Sequence, residues 1–355
     1  KRLPADDPEI LNSYDAIGNA QIRAGHPERA IDLMKKAVDG ARRKFGEKHV
    51  KTAHYLKNLG TAYGMQRDFV EAAALTERAV RIEAELYPPG SPDVVNGLNN
   101  LGNMQLTLGR LADARKTLDE ARARNRDADH DESLGQTFVL GNLARVHEAQ
   151  GDLAGAAELL AEARKTAMNI VGPEHARTVT LDLQAARVDF LRDPATAPAL
   201  EKVASAIVAA PDKLAQFRTR SEPEARYALG LAEDARGDHA KAGATWRDAV
   251  AALPADHVDP LTFPLVVALA RFDVANGKAD EARTLLSGYI ERAERELPPR
   301  HYAIGALHLA LAEALADSRK ADALAELDEA DAAFGELPPD HPWRKDAAAL
   351  RKRLD

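Results

Sequence analysis

Four side-chain amides stand at a constant interval: Asn58, Asn100, Asn142 and Gln184 are each 42 residues apart. A side-chain amide carries both hydrogen-bond donors and an acceptor. A row of them can hold the backbone of an extended peptide without reading its side chains. It can equally bond neighbouring helices to one another and fix their stacking. Inside a helix Asn is worse than Ala by up to about 0.7 kcal/mol, so the row needs a reason, and both readings supply one. The same interval aligns further polar residues: Lys57 and Thr61, Asn99 and Asn103, Arg145, Arg187, and later Tyr227 and Arg271. Members of a pair are four residues apart and share one helix face. Lys57, Arg145 and Arg187 could pair with acidic groups of a partner; a solvated helix face is as ordinary a use for each.

Other residue types that could do chemistry lack the spacing for it. The chain has eleven histidines, but His49, His175 and His301 each follow Gly18, Ala144 and Ala270 by 31 residues. A residue that recurs with a repeat is a structural part of it. No His-Glu-x-x-His pattern occurs, and Gly277-Lys278 lacks the preceding glycine and following Ser or Thr of a phosphate loop. There is no G-x-S-x-G elbow. With no cysteine there is no disulfide, thiolate nucleophile or Cys-ligated zinc. Asp322, Glu326 and Glu329 have the spacing of a solvated helix face. The expectation is a protein that is not an enzyme and needs neither metal nor cofactor.

The elements that position these residues follow from the same interval. Gly18, Gly60, Gly102 and Ala144 are 42 residues apart, and each is followed twelve residues later by Ala30, Ala72, Ala114 or Ala156. Gly25, Gly109 and Gly151 lie between them. Gly230, Gly237 and Ala242 repeat the frame, as do Ala270, Gly277 and Ala282. Small residues on either side of a turn glycine describe two short antiparallel helices, A and B, in close contact. A fixed period of this size means a stacked repeat array. One such pair is too small to bury its apolar face alone, so stability comes from neighbours.

The small-residue frame and the Asn99-Asn100-Leu101-Gly102 run resemble the tetratricopeptide repeat. The variant with a 42-residue period, found in kinesin light chains and many bacterial signalling proteins, is the most similar. The resemblance implies an all-α, right-handed superhelix (an α-solenoid) of about eight helix-turn-helix units, with A helices lining a concave face. It also implies that a protein or peptide segment binds in that groove, with the asparagine series as its ladder. By the same analogy the array is the sensor or docking region of a larger protein, such as a membrane-anchored serine/threonine kinase. That context places it outside the cytoplasmic membrane, where lack of cysteine is comfortable; otherwise it is cytoplasmic. Self-association as a scaffold is the other use the resemblance allows.

Residues 1–8 are expected as a lead-in, 9–192 as units one to the A helix of five, and 223–337 as units six to eight. Between them, 193–222 read as an irregular joint: Asp193-Pro194 replaces the turn glycine, Pro198 delays helix B to about Ala199, and Pro211–Arg220 is extra. In the eighth unit, Arg319 stands for the turn and Leu324 for the helix B alanine. Residues 338–355 form a capping helix starting at Trp343, with Ser91 as a helix cap and 127–131 as a charged turn elsewhere. Trp246 is expected in the core. The 355 residues are 45% hydrophobic and only 5% aromatic, which suits a helical protein with a large core. A net charge of −8 argues against a nucleic-acid surface. The longest apolar run, Phe263–Phe272, is interrupted by Pro264 and Arg271, so no membrane insertion is expected.

Overall fold

The computed structural model describes residues 4–88, 90–127, 132–209, 218–255 and 258–355. Its helices alternate as the frame requires. They are α1 (Pro8–Arg23) with α2 (Pro27–Phe45), α3 (Val50–Met65) with α4 (Phe69–Leu86), and α5 (Pro92–Thr107) with α6 (Leu111–Asp127). Then come α7 (Leu134–Ala149) with α8 (Leu153–Val171), α9 (Ala176–Arg192) with α10 (Ala197–Ala209), and α11 (Arg218–Ala235) with α12 (His239–Ala251). The last pairs are α13 (Phe263–Ala275) with α14 (Ala279–Glu296) and α15 (Tyr302–Leu315) with α16 (Lys320–Ala333), and α17 (Pro342–Leu354) stands alone. No strand occurs among the described residues. No helix among them is long and apolar enough to cross a membrane.

The chain divides into two compact units, residues 1–142 and 143–355, with the boundary inside α7. In the first, Leu11, Met34 and Leu56 are fully buried in a core continued by Leu59, Val38 and Ile82. In the second, Leu183, Leu200 and Ala228 form one cluster, and Trp246, Leu265 and Leu269 another. Full burial of one such leucine is worth about 1.5–3 kcal/mol. The small residues act where the frame places them. A Cβ on Gly102 would stand 2.5 Å from Leu118 Cγ, so helix A approaches helix B closer than any side chain allows.

The turns follow from local chemistry. Gly109 has φ +74°, the left-handed conformation that ends helix A. Arg67 occupies the corresponding place in the second pair and adopts φ +67° despite its side chain. Its guanidinium carbon lies 5.4 Å from the Phe69 ring centroid, a cation–π contact that offsets part of the strain.

The recurring histidines are helix caps. Nδ1 of His49, His175 and His301 accepts the backbone N–H of the residue two positions on, Lys51, Arg177 and Ala303, each at 3.1 Å. His341 repeats the bond to Trp343 at 3.2 Å. Thr52 and Thr178 complete two of these corners by donating to the carbonyls of Gly46 and Gly172 at 2.8 and 2.7 Å. His175→Ala should therefore cost about 1 kcal/mol, while His175→Asn, which can still cap, should cost only a few tenths. Urea unfolding of the two variants checks this.

Several local expectations change. Ser91 is the residue before α5, but its side chain makes no capping bond. In the fifth pair Asp193 accepts from Ala195 N–H at 3.0 Å and a short 3-10 turn, Pro194–Thr196, feeds α10. That helix starts at Ala197 rather than Ala199, because Pro198 falls in its first turn, where proline is tolerated. In the eighth pair the buried helix B alanine is Ala323, not Leu324, since the turn into α16 is one residue shorter. The capping helix begins at Pro342, one residue before Trp343. Within the expected joint, residues 210–217 lie outside the described residues, as do 1–3 of the lead-in and 128–131 of the charged turn.

Candidate functional site

In the first unit the amide row has a definite register. Asn58 Nδ2 donates to Asp15 Oδ1 at 2.7 Å, reaching from α3 to α1 across 43 residues. Asn142 Nδ2 donates to Asn99 Oδ1 at 3.0 Å, from α7 to α5 across the same separation. Each of these amides thus bonds the residue just before the equivalent position of the preceding A helix. Asp15 is also contacted by Asn19 at 3.2 Å and by His54 Nε2 at 3.3 Å, so the start of the row is a closed polar cluster.

The register fails at Asn100 for a chemical reason. The residue 43 positions earlier is Lys57, whose ammonium is held 2.7 Å from the buried carboxylate of Glu83. Asn100 is left exposed, and neither it nor half-buried Asn103 makes a side-chain hydrogen bond among the described residues. Thr61 is exposed on α3 at the position equivalent to Asn103 on α5; its hydroxyl donates back to the Lys57 carbonyl at 3.1 Å. This leaves an open polar strip of Thr61, Asn100 and Asn103 on two successive A helices.

The second unit spends its polar residues internally. For Gln184 the residue 43 positions earlier is Gly141, which has no side chain. With its amide oriented so that the oxygen faces the guanidinium, Gln184 Oε1 instead accepts from Arg145 Nε and Nη2, both at 2.8 Å. Arg187 grips Glu148 with both Nη atoms, the Nη2–Oε2 distance being 2.8 Å. Glu224 lies between the two arginines, 3.4 Å from Arg145 and 3.5 Å from Arg187. Burial opposes the charge on Arg187, but Glu148 and Glu224 outweigh it and hold the guanidinium above its ordinary range. Burial also pushes the Tyr227 hydroxyl up, against Arg187, which favours its ionised form. Arg271 is paired through Nε and Nη2 to Glu313, both bonds at 2.8 Å.

The sequence-predicted residues therefore separate into two sets. Lys57, Asn58, Asn99, Asn142, Arg145, Gln184, Arg187 and Arg271 bond other residues of the chain, and Tyr227 sits half-buried beside Arg187. Thr61, Asn100 and Asn103 face outward. Sequence reasoning missed Glu83, Glu148 and Glu224 as the partners that consume the cations. A signal existed for two of them: Glu148 is three residues after Arg145 and Glu224 three before Tyr227, which puts them on the same helix faces.

Helix pairs joined by tight turns and packed through small residues define an all-α repeat protein. The chain belongs to the tetratricopeptide-repeat family, whose models match residues 9–85, 93–169 and 223–248. Solved structures agree on the fold. NprR in complex with its cognate peptide NprX is similar over 98% of this chain and 97% of its own, with TM-score 0.63 and 13% identity. The Rap protein complexed with competence and sporulation factor is similar over 99% and 97%, with TM-score 0.57 and 16% identity. The kinesin-light-chain TPR-like repeats of Podosopora anserina cover 59% of this chain and 98% of their own, with TM-score 0.51 and 19% identity. No curated protein matches the chain.

Proposed function

We propose that this array is a non-enzymatic recognition module that binds an extended protein or peptide segment along the A helices of its first unit. The observation that carries this reading is the open strip of Thr61, Asn100 and Asn103. There the amide row is interrupted, and donors and acceptors are left facing solvent while its neighbours are satisfied. Unpaired amides on preformed helices can take up a peptide backbone at little ordering cost. The NprR structure, which shares this fold and holds its cognate peptide NprX, supports the same reading, as does the Rap protein with its bound competence and sporulation factor. The resemblance to arrays of bacterial signalling proteins extends the proposal to a larger context. There the module docks a partner for an attached signalling domain such as a serine/threonine kinase, outside the cytoplasmic membrane.

The test is selection of binders from a random peptide library, followed by fluorescence anisotropy on the selected peptides. Each amide that bonds the ligand contributes about 1 kcal/mol, so Asn100→Ala with Asn103→Ala should weaken binding by about tenfold or more. Urea unfolding of that double variant should be unchanged within about 0.5 kcal/mol, because both side chains are unbonded in the free protein. Equal affinity for the selected peptides would move recognition away from this strip.

A further inference from the structure

A repeat array buries the face of each helix pair against the next pair. The described residues place no pair ahead of α1, and the leading face of the first pair is uncovered there. Ile17 is 49% exposed, whereas Leu59 and Leu101, which hold its place one and two periods on, are buried. In α3 the flanking positions are filled by Tyr55 and Ala62, both buried, and the Tyr55 hydroxyl donates to Asn12 Oδ1 of α1 at 2.7 Å. Their counterparts in α1, Ser13 and Ala20, are exposed. Leu33 of α2 is likewise only half-buried where Leu75 of α4 is buried. The last pair, by contrast, is followed by α17, whose Ala347, Leu350 and Leu354 are buried.

The exposed face of α1 is also self-complementary in charge. Glu9, Ser13, Ala16, Ile17, Ala20 and Arg23 are exposed and lie within about a third of the circumference of the helix. Glu9 is in the first turn and Arg23 in the last, about 21 Å apart along the axis. Neither side chain has an ion pair among the described residues.

We propose that this face pairs with the same face of a second copy of the chain, giving a reversible two-fold dimer through antiparallel α1 helices. With the crossing at Ala16 and Ile17, Glu9 of each copy meets Arg23 of the other, and Ser13 meets Ala20. A two-fold axis makes every such contact twice and closes the assembly at two copies. The small side chains admit the second helix, and Ile17 supplies the apolar centre that Leu59 and Leu101 supply inside the array. The charges decide the direction, since a parallel pair would set Glu9 against Glu9 and Arg23 against Arg23. The charge of the whole chain selects the same end. Residues 1–142 carry equal numbers of acidic and basic side chains, so the net charge of −8 lies wholly in residues 143–355. Copies that meet through their neutral units do so with the least repulsion.

Sedimentation velocity of the full-length chain across a dilution series tests this. The mass should rise from 38.4 kDa toward twice that value as concentration rises. Ile17→Arg should hold it at the monomer value, while Ile170→Arg, at a similarly exposed residue of α8, should leave the dimer unchanged. Glu9→Arg alone and Arg23→Glu alone each create two like-charge contacts and should weaken the dimer about tenfold. The two together exchange the charges and should recover the original affinity. Helical circular dichroism should be the same for all variants, because every substituted residue is exposed. A mass of 38.4 kDa at every concentration would overturn the proposal, as would a dimer indifferent to Ile17→Arg. So would failure of the charge-exchanged variant to recover, or growth past two copies, which a two-fold contact does not permit.

Discussion

Arg187→Ala should destabilise the second unit by about 3 kcal/mol or more, among the largest effects of any single polar substitution in this chain. Arg187 side-chain exposure is 11%, against 20% for Glu148 and 17% for Glu224, so three charges share a poorly hydrated space. The variant leaves two carboxylates there with Arg145 alone to answer them. Arg145 is committed to Gln184 by two short bonds and reaches Glu224 only at 3.4 Å. The cost comes from the stranded charge rather than from the net worth of the ion pair. Arg187→Met combined with Glu148→Gln removes the closest pair, leaves Glu224 to Arg145, and should therefore restore most of the lost stability. Both tryptophans, Trp246 and Trp343, lie in the second unit, so tryptophan fluorescence during urea unfolding follows that unit selectively. A loss under about 1 kcal/mol for Arg187→Ala would mean that water already shares the load.

Gly230→Ala should cost about 2–3 kcal/mol although alanine is the better helix former by about 1 kcal/mol. An added Cβ would stand 2.1 Å from Trp246 Nε1 and 2.5 Å from Cε2. The indole has no retreat: it is 4% exposed and lies edge-on to Phe272 at 6.0 Å. Its N–H also donates to the Tyr227 carbonyl at 3.2 Å, so displacing the ring breaks a buried hydrogen bond as well. Gly288→Ala in α14 is the control. Nothing lies within 4 Å of its added Cβ, so only helix propensity acts and that variant should gain about 0.5–1 kcal/mol. Thermal unfolding separates the two, and a red-shifted Trp246 emission should accompany only the first.

The two units use one sequence frame to different ends. In the first, the frame leaves Thr61, Asn100 and Asn103 facing outward. In the second, the same positions hold a charge network. In both units an acidic side chain claims the cation, Glu83 for Lys57 and Glu148 and Glu224 for Arg187; what differs is whether the amide beside it then finds a partner.

Much of the fold is legible in the sequence. The spacing of Gly102, Gly109 and Ala114 is enough to place two antiparallel helices and the turn between them, because close approach and a left-handed turn each demand one residue type at one position. The recurrence of His49, His175 and His301 was likewise enough to mark them as structural. What their rings do, accepting an N–H two residues on, needed the corner geometry. The short turn before Ala323 was hidden because Leu324 fits the numerical frame equally well. The candidate site was legible only as a set of directions. Periodicity says which way Asn100 or Arg187 points, but not whether its hydrogen bonds are already taken. That depends on partners in other helices: Asp15 lies 43 residues from Asn58, Glu148 39 from Arg187, and Glu224 79 from Arg145. Hydrogen bonds and ion pairs act over about 3 Å, so only the packed structure decides which polar residues are spent on the fold and which remain for a ligand.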